Sequence, residues 1–339
     1  MSVTKSVVGL VIGRAATLGL IDSIETPVHE YFPEWRQGRK RDVTLRMLLE
    51  HTSGLQNVPM TTEEIYPSRD FVQLALSAEL ESVPGESYAY NNKAVNLLAG
   101  VIEHATGRKL DDFARDEVFT PLGVERFTWQ RDPAGNPHAM SGLALQPEDL
   151  LAVGELVVNR GAWNGEQLIS EAWFRAMDAT EVGEESALLW WHVHDVRIDL
   201  TAAHLEALEQ AGAPSNVTDR LSPLTGSYRS MLTFYSALNF TLGTDWRNLL
   251  PEGVKPFSVE IGDRIGYRAE GDLGQHLYVF PQEQIVVARQ LSEATAVSEE
   301  PTLLDPPSNK EEHMRKIERL FFSDFEELVL TFRDALKGY

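Results

Sequence analysis

The most informative segment of the chain is SVTKSVVGLVIGRAATLGLI, residues 2–21. It is apolar and carries small residues on several faces, which predicts a helix buried on all sides. Ser2 is a good N-cap and Gly19 a plausible stop signal. Ser2 and Lys5 are three residues apart and therefore share one face of that helix. The segment is either the capped start of a helix or a serine nucleophile with its base.

The catalytic interpretation needs an unusual lysine. A serine hydroxyl is a poor nucleophile until a neighbouring group accepts its proton. Lys5 can do so if burial lowers its pKa from about 10.4 to about 7–8, which costs roughly 3–4 kcal/mol. At average residue frequencies, about one Ser-x-x-Lys spacing is expected by chance in a chain of this length. The spacing alone therefore favours the helix cap.

Two further stretches carry candidate groups. In PGESYAYNNKAVNLLAG, residues 84–100, Tyr90 and Asn92 precede or begin an apolar helix. They either staple and cap that helix or supply a proton shuttle and a substrate-orienting amide. In AEGDLGQHLYVFP, residues 269–281, Gly271 and Asp272 form an ordinary hairpin turn, or they leave room for substrate and aim the Asp272 N–H at an oxyanion.

The remaining patterns indicate an α+β fold. Helical periodicity dominates to about residue 180, ALLWWHVHDV predicts a strand, and RIGYRAEG, QHLYVFP and QIVVARQL predict three more. SEEPTLLDPPSNKEE predicts a polar loop and DFEELVLTFRDALK a closing helix. We expect a single catalytic domain, 1–339, in four parts: a mainly helical lobe at 1–185, a strand at 186–195, an insertion at 196–262, and sheet strands with the last helix at 263–339.

Composition excludes several classes of function. The 339 residues are 43% hydrophobic, with a net charge of −21 and no cysteine. The acidity argues against a phosphate-binding face, and therefore against a nucleic-acid partner. No cysteine means no disulfide, thiolate metal site or cysteine nucleophile, and it leaves the compartment open, whether cytoplasmic, periplasmic or secreted. No apolar run is long enough to span a membrane.

A metal site is conceivable at WWHVHD, residues 190–195, where His192 and His194 share a strand face beside Asp195. No third ligand has matching spacing, so we predict no metal and no cofactor. Trp190 and Trp191 are expected to be one core residue and one residue facing the cleft. The chain also lacks a Gly-x-Ser-x-Gly elbow, a phosphate loop and a dinucleotide fingerprint.

The three candidate stretches, together with LLEHTSGL (48–55) and FTPLGV (119–124), resemble the serine β-lactamase-related superfamily. That superfamily contains penicillin-binding proteins, class C β-lactamases, esterases, D-amino-acid peptidases and aminohexanoate-oligomer hydrolases. The resemblance covers roughly residues 1–192 and 264–335. It implies an antiparallel sheet flanked by helices, beside a helical lobe, with the site between them.

The resemblance also implies roles for individual residues. Ser2 matches the acylated nucleophile, Lys5 its general base, Tyr90 the tyrosine of the Tyr-x-Asn motif and Asn92 its asparagine. The segment from His51 to Gly54 matches a structural turn, so its serine, Ser53, is not the expected nucleophile.

The third motif departs from the lactamase pattern. A Lys/His-Thr/Ser-Gly triplet is replaced by Ala269, Glu270 and Gly271, and the implied oxyanion hole is the N–H groups of Ser2 and Asp272. Alanine cannot bind a substrate carboxylate, and Glu270 repels one if it faces the cleft. We therefore expect hydrolysis of esters or small amides. The alternatives are β-lactamase, D-Ala-D-Ala carboxypeptidase or D-aminopeptidase activity, or an inactive relative that binds or senses.

Two parts of the chain differ in length from the family pattern. The insertion at 196–262 is either a surface addition or a lid whose Tyr228, Phe234, Tyr235 and Trp246 line an apolar acyl pocket. The resemblance also implies N-terminal strands before the nucleophile, and we expect these strands to be missing here. We expect a bare sheet edge at QIVVARQL, self-association through that edge, and low activity of the chain as written.

Overall fold

The computed structural model describes residues 1–58, 60–180, 186–243, 245–272, 274–291 and 325–336. The predicted loop SEEPTLLDPPSNKEE lies outside these residues. The α-helices are α1 Val3–Thr17, α2 Leu45–Leu49, α3 Thr61–Glu64, α4 Phe71–Ser77, α5 Asn92–Thr106, α6 Leu110–Ala114, α7 Thr120–Leu122, α8 Pro147–Val158, α9 Glu171–Asp178, α10 Ala202–Gln210, α11 Ser215–Leu221, α12 Met231–Leu242 and α13 Phe325–Leu336. A π-helical stretch, Arg115–Phe119, joins α6 to α7.

The strands are β1 Thr128–Trp129, β2 Leu143–Ala144, β3 Ala162–Trp163, β4 Glu166–Gln167, β5 Trp191–Leu200, β6 Gly226–Tyr228, β7 Ser258–Gly271, β8 Gln275–Phe280 and β9 Ile285–Arg289. The α+β class predicted from the sequence is confirmed by this mixture of helices and antiparallel strands. The chain divides into two compact units. The first contains residues Met1–Val193 and Gly266–Arg289, and the second contains His194–Ile265 and Gln290–Tyr339. That they act as one catalytic domain stays a prediction.

The first unit is built around helix α1, whose burial on every side is confirmed. Residues from Thr4 to Gly13 of α1 are buried. A Cβ added at Gly9 would lie 2.7 Å from the Leu188 carbonyl oxygen, and one at Gly13 would lie 2.7 Å from the Trp173 ring. Glycine costs about 1 kcal/mol relative to alanine inside a helix. Here it permits the close approach that seats α1 in the core.

The sheet of the first unit places the third motif beside α1. β7 pairs with β8 in antiparallel register, Ala269 opposite Leu277, and β8 pairs with β9, Leu277 opposite Ala288. Helix α8 covers these strands through Gly154, where an added Cβ would lie 2.3 Å from Val286 Cγ1. β8 and β9 lie where the sequence predicts them, and β7 ends at Gly271 as predicted but begins earlier, at Ser258.

The prediction that β5 begins near residue 186 is wrong, because the strand starts at Trp191. Leu188 and Leu189 have φ values of 55° and 69°, in the left-handed region that an extended strand excludes. In this conformation the backbone contacts α1, since the Leu189 carbonyl accepts a hydrogen bond of 2.7 Å from Ser6 Oγ. Trp190 is a core residue as predicted, and its Nε1 donates to the Ser6 carbonyl at 3.0 Å.

The second unit has its own hydrophobic cluster, formed by α10, α11, α12 and the strands β5 and β6. β5 pairs with β6 in antiparallel register, Ile198 opposite Tyr228. Phe234 and Trp246 are buried in this cluster, and Tyr228 and Tyr235 pack against it. Phe234 and Trp246 thus fill a core, and Tyr228 and Tyr235 contact its aromatic rings, whereas the alternative of a lid over the cleft stays a prediction.

Candidate active site

Three predicted residues meet at one oxygen atom in the first unit. Lys5 Nζ lies 3.0 Å from Ser2 Oγ, and the Tyr90 hydroxyl donates to the same Oγ at 3.0 Å. Ser2 is the N-cap of α1 by position, yet its side chain makes no cap hydrogen bond. Its hydroxyl is therefore free to bond Lys5 and Tyr90, two groups that can move a proton.

The environment of Lys5 suits a base. The side chain is 0% exposed, and its Nζ donates to the Met140 carbonyl at 2.7 Å and lies 4.9 Å from the centre of the Tyr90 ring. Burial lowers the pKa of Lys5 well below its ordinary value, because the charged form loses its hydration. A larger fraction of Lys5 is therefore neutral near physiological pH than is usual for lysine.

The pKa of Tyr90 moves the opposite way. Burial raises the pKa of Tyr90, the hydrogen bond to Ser2 opposes that rise, and repulsion between the Tyr90 phenolate and the ionised forms of Tyr88 and Glu270 adds to it. Tyr90 therefore remains a phenol across the pH range in which Lys5 loses its proton. Two adjacent groups whose pKa values are driven apart are suited to different steps of one proton transfer.

The Met140 backbone is a part of the site that the sequence did not reveal. Its carbonyl accepts from Lys5, while its N–H donates to Asn96 Oδ1 at 3.2 Å. The segment that follows is tied to α1 as well, since Leu143 N donates to Thr4 Oγ1 at 3.2 Å. Asn96 is 1% exposed, and its Nδ2 has no hydrogen-bond partner among the described residues. No local pattern links residue 96 to residue 140, so only the fold discloses this contact.

Asn92 lies at the start of α5, where Asn91 supplies the cap by accepting from Ala94 N at 2.9 Å. The Asn92 Nδ2 donates to Thr61 Oγ1 at 3.0 Å. The next residue, Lys93, is buried and forms an ion pair with Glu64. These contacts attach α3 to the first turn of α5, and the predicted role of Asn92 in binding substrate stays a prediction.

Gly271 brings the end of β7 against the nucleophile. A Cβ added at Gly271 would lie 3.1 Å from the Ser2 backbone nitrogen, so a side chain here would crowd that N–H. Asp272 follows at an exposed turn position. In the triplet that differs from the lactamase pattern, Ala269 is buried. Glu270 Oε1 lies 2.5 Å from Arg268 Nε.

A cavity of about 520 Å³ adjoins the Met140 segment. Its lining carries polar but uncharged groups beside apolar ones: Met1, Tyr66, Gln130, His138, Ser141, Gly142, Leu143 and Ala144. Trp191 is half-buried on another side of the site, with its ring centre 6.3 Å from that of Tyr90. The described side chains that line the 520 Å³ cavity include no Asp, Glu, Lys or Arg.

The chain was compared with models of known protein families. The family model described as Beta-lactamase matches residues 1–300. The chain belongs to the beta-lactamase family. The resemblance found in the sequence is thereby confirmed, and so is the fold class it implied. Members of this family are typically hydrolytic serine enzymes.

Two curated proteins are similar in sequence to part of this beta-lactamase-family chain. The esterase/beta-lactamase LipL of Mycobacterium tuberculosis (strain ATCC 25618 / H37Rv) is 30% identical over 155 residues, which is 44% of this chain and 35% of LipL. Protein flp of Staphylococcus aureus (strain MW2) is 26% identical over 151 residues, 42% of this chain and 30% of flp. The match thus spans about a third of the length of these relatives.

Solved structures share the fold. A Bacillus anthracis protein provisionally assigned as a 6-aminohexanoate-dimer hydrolase aligns with a TM-score of 0.63 at 16% identity, covering 99% of this chain and 72% of that one. A Bacteroides dorei DSM 17855 protein provisionally assigned as a beta-lactamase aligns with a TM-score of 0.53 at 16% identity, covering 86% and 77%.

The remaining sequence candidates have structural contacts. His192 is buried and its Nε2 lies 3.2 Å from the Met177 carbonyl. In the described part of the chain, no group of three or more His, Asp or Glu side chains is placed to hold a metal ion. Ser53 is buried and accepts from Leu55 N at 3.4 Å, as expected for a turn. No helix within the described ranges is both long and apolar enough to cross a bilayer.

Proposed function

We propose that this chain is a serine hydrolase that cleaves esters or small amides through an acyl-enzyme on Ser2. The observation that carries the proposal is that Ser2 Oγ lies 3.0 Å from both Lys5 Nζ and the Tyr90 hydroxyl. A buried amine and a phenol are each within hydrogen-bond distance of the nucleophile, as general acid–base catalysis requires.

Acylation begins with neutral Lys5, which takes the proton from the Ser2 hydroxyl as Oγ bonds to the substrate carbonyl carbon. The carbonyl electron pair moves to oxygen, and the N–H groups of Ser2 and Asp272 stabilise that oxyanion. When the intermediate collapses, the C–O or C–N bond breaks and the leaving group takes a proton from Tyr90. The Lys5 ammonium returns a proton to Tyr90, and the acyl group remains on Oγ.

Deacylation repeats these steps with water. Tyr90 relays a proton from the attacking water to neutral Lys5 as the second oxyanion forms at the same N–H groups. When this intermediate collapses, the bond between the carbonyl carbon and Oγ breaks, the Lys5 ammonium gives its proton to Oγ, and the acid product leaves. The opposed pKa shifts of Lys5 and Tyr90 support this division between a base and a proton donor. Each oxyanion donor of this kind typically contributes about 2.7–4 kcal/mol to transition-state stabilisation.

The third motif supports an uncharged substrate. Ala269 offers no group for a carboxylate, and Glu270 lies close enough to Tyr90 to raise its pKa. A substrate anion beside Ser2 would meet that negative charge, whereas an ester or amide would not. The relative named as an esterase/beta-lactamase is consistent with ester cleavage.

Covalent labelling tests the proposal. We expect incubation with a fluorophosphonate to add one phosphonyl group to Ser2, detected by peptide mass spectrometry. Ser2→Ala should remove both the adduct and turnover of a short nitrophenyl ester, whereas Ser53→Ala should keep both. Tyr90→Phe should lower kcat by roughly 10²–10⁴-fold, the usual contribution of a positioned acid or base.

Turnover that survives in Ser2→Ala would refute the assignment of the nucleophile. Absence of both adduct and turnover in the unsubstituted chain would favour an inactive binding relative. Parallel assays on the nitrophenyl ester, a chromogenic cephalosporin and a D-Ala-D-Ala peptide distinguish ester hydrolysis from β-lactamase and peptidase activity.

A further inference from the structure

His51 holds the backbone on both sides of Tyr90. Its carbonyl oxygen accepts from Ala89 N at 2.8 Å, and its ring Nδ1 accepts from Asn91 N at 3.1 Å. These two bonds hold the Tyr88–Ala89 peptide on one side of Tyr90 and the Tyr90–Asn91 peptide on the other. One residue therefore determines the direction in which the Tyr90 side chain leaves the backbone.

The imidazole ring also contacts the phenol ring. The ring centres of His51 and Tyr90 are 4.6 Å apart and tilted by 37°, within the range of favourable aromatic pairs. Tyr88 lies on another side of the imidazole, edge-on, at 5.9 Å. His51 thus restrains the rotation of the Tyr90 side chain as well as the position of its backbone.

The backbone conformation and the burial of His51 both cost free energy. Its φ is 57°, a left-handed conformation that is uncommon outside glycine. Burial lowers the pKa of His51 to about 3, and the Lys5 charge acts in the same direction, so the ring is neutral. With Nδ1 accepting, the proton is on Nε2, which has no hydrogen-bond partner among the described residues. Backbone strain and an unpaired buried donor at one residue both cost stability, and such costs cluster at functional sites.

We propose that His51 is a positioning residue that holds the Tyr90 hydroxyl in line with Ser2 Oγ. The proposal rests on the proposed function, in which Tyr90 moves a proton. It goes beyond the structural turn that the sequence indicated, since it assigns the turn an effect on kcat. His51 itself touches no reacting atom.

Three substitutions separate the parts of this role. His51→Asn keeps an acceptor, because Asn Oδ1 takes the place of Nδ1, and asparagine tolerates positive φ. In His51→Leu the new side chain has the same number of heavy atoms as asparagine, but it has no acceptor. His51→Gly removes the acceptor and relieves the strain. Ser53→Ala is the control, since it removes a hydrogen bond of the same turn without contacting Tyr90.

The readouts are kcat and KM for a short nitrophenyl ester, normalised by the fraction of sites that a fluorophosphonate labels at completion. We expect His51→Leu and His51→Gly to lower kcat at least about tenfold with KM within about twofold, since misplacement by about 1 Å can cost 10²-fold. His51→Asn should recover most of kcat, and Ser53→Ala should keep it.

Equal kcat values in His51→Asn and His51→Gly, or a change confined to KM, would overturn the positioning role. The comparison of these two variants remains decisive if His51→Leu fails to fold. Activity retained in Ser2→Ala would instead overturn the proposed function, so the two failures are distinguishable.

Discussion

Substitution of Asn96 by leucine tests how the base is held. Asn96 accepts from the Met140 N–H, and the Met140 carbonyl accepts from Lys5, so the Asn96 side chain acts on Lys5 through the backbone of one residue. Leucine has nearly the same shape as asparagine and removes both polar atoms. The Met140 carbonyl would then keep its contact with Lys5, but the N–H on the other side of the Met140 Cα would lose its acceptor.

Two opposite effects on stability follow from the structure. Leaving the Met140 N–H buried and unpaired costs about 1–3 kcal/mol. Removing the Asn96 Nδ2, which has no partner among the described residues, returns a similar amount. We therefore expect the free energy of unfolding to change by no more than about 1 kcal/mol, a shift in Tm of about 2–4 °C.

The effect on catalysis has no such cancellation. If Lys5 Nζ follows the released carbonyl by a fraction of an ångström to about 1 Å, kcat should fall by roughly 10–10²-fold. Calorimetry and steady-state kinetics on a nitrophenyl ester measure the two quantities, and Asn96→Asp, which keeps the Oδ1 acceptor, should retain more activity than Asn96→Leu. Wild-type kcat in a folded Asn96→Leu protein would refute the reasoning.

Three further changes have expected outcomes. Lys5→Met should abolish acylation and raise Tm at neutral pH. Because the folded-state pKa of Lys5 is lowered, its burial destabilises the protein below the unfolded-state pKa, and the Tm advantage should shrink as pH rises towards that value; a constant advantage would contradict this. Glu270→Gln should raise kcat/KM for an anionic cephalosporin relative to a neutral ester, and an unchanged ratio would show that Glu270 does not repel substrate. Gly9→Ala should lower the free energy of unfolding by about 1–3 kcal/mol in chemical denaturation, because its Cβ would lie 2.7 Å from a backbone oxygen, and an unchanged midpoint would contradict the packing.

The sequence predicted the proposed reacting residues better than the residues that hold them in position. Ser2, Lys5 and Tyr90 were identified because their residue types and order match a family pattern, and the fold brings their polar atoms together. Met140 acts through a backbone carbonyl, which any residue type has, so no sequence signal could mark it. Asn96 lies within an apolar helix, where a single asparagine carries no indication of its partner.

Predictions of secondary structure failed where long-range contacts oppose local preference. Leu188 and Leu189 belong to an apolar run typical of a strand. Their backbone is nevertheless in the left-handed region, and the Leu189 carbonyl bonds Ser6 of α1. The sequence leaves the aromatic residues of the insertion open between a surface addition and a pocket wall, because it does not distinguish a pocket wall from a core. Phe234, at 0% exposure, belongs to a core.

The separate hydrophobic cluster of the second unit affects how the chain can tolerate change. The two clusters share no residue within the described ranges, and Ser2, Lys5 and Tyr90 all belong to the first unit. Truncating a buried aromatic such as Trp246 to alanine typically costs about 3–5 kcal/mol, and here the lost contacts are those of the second cluster. Random substitution of residues 194–265 therefore samples the stability of a core that supplies none of the proposed reacting groups. Evolutionary drift there is limited by folding, whereas drift around α1 is limited by folding and chemistry together.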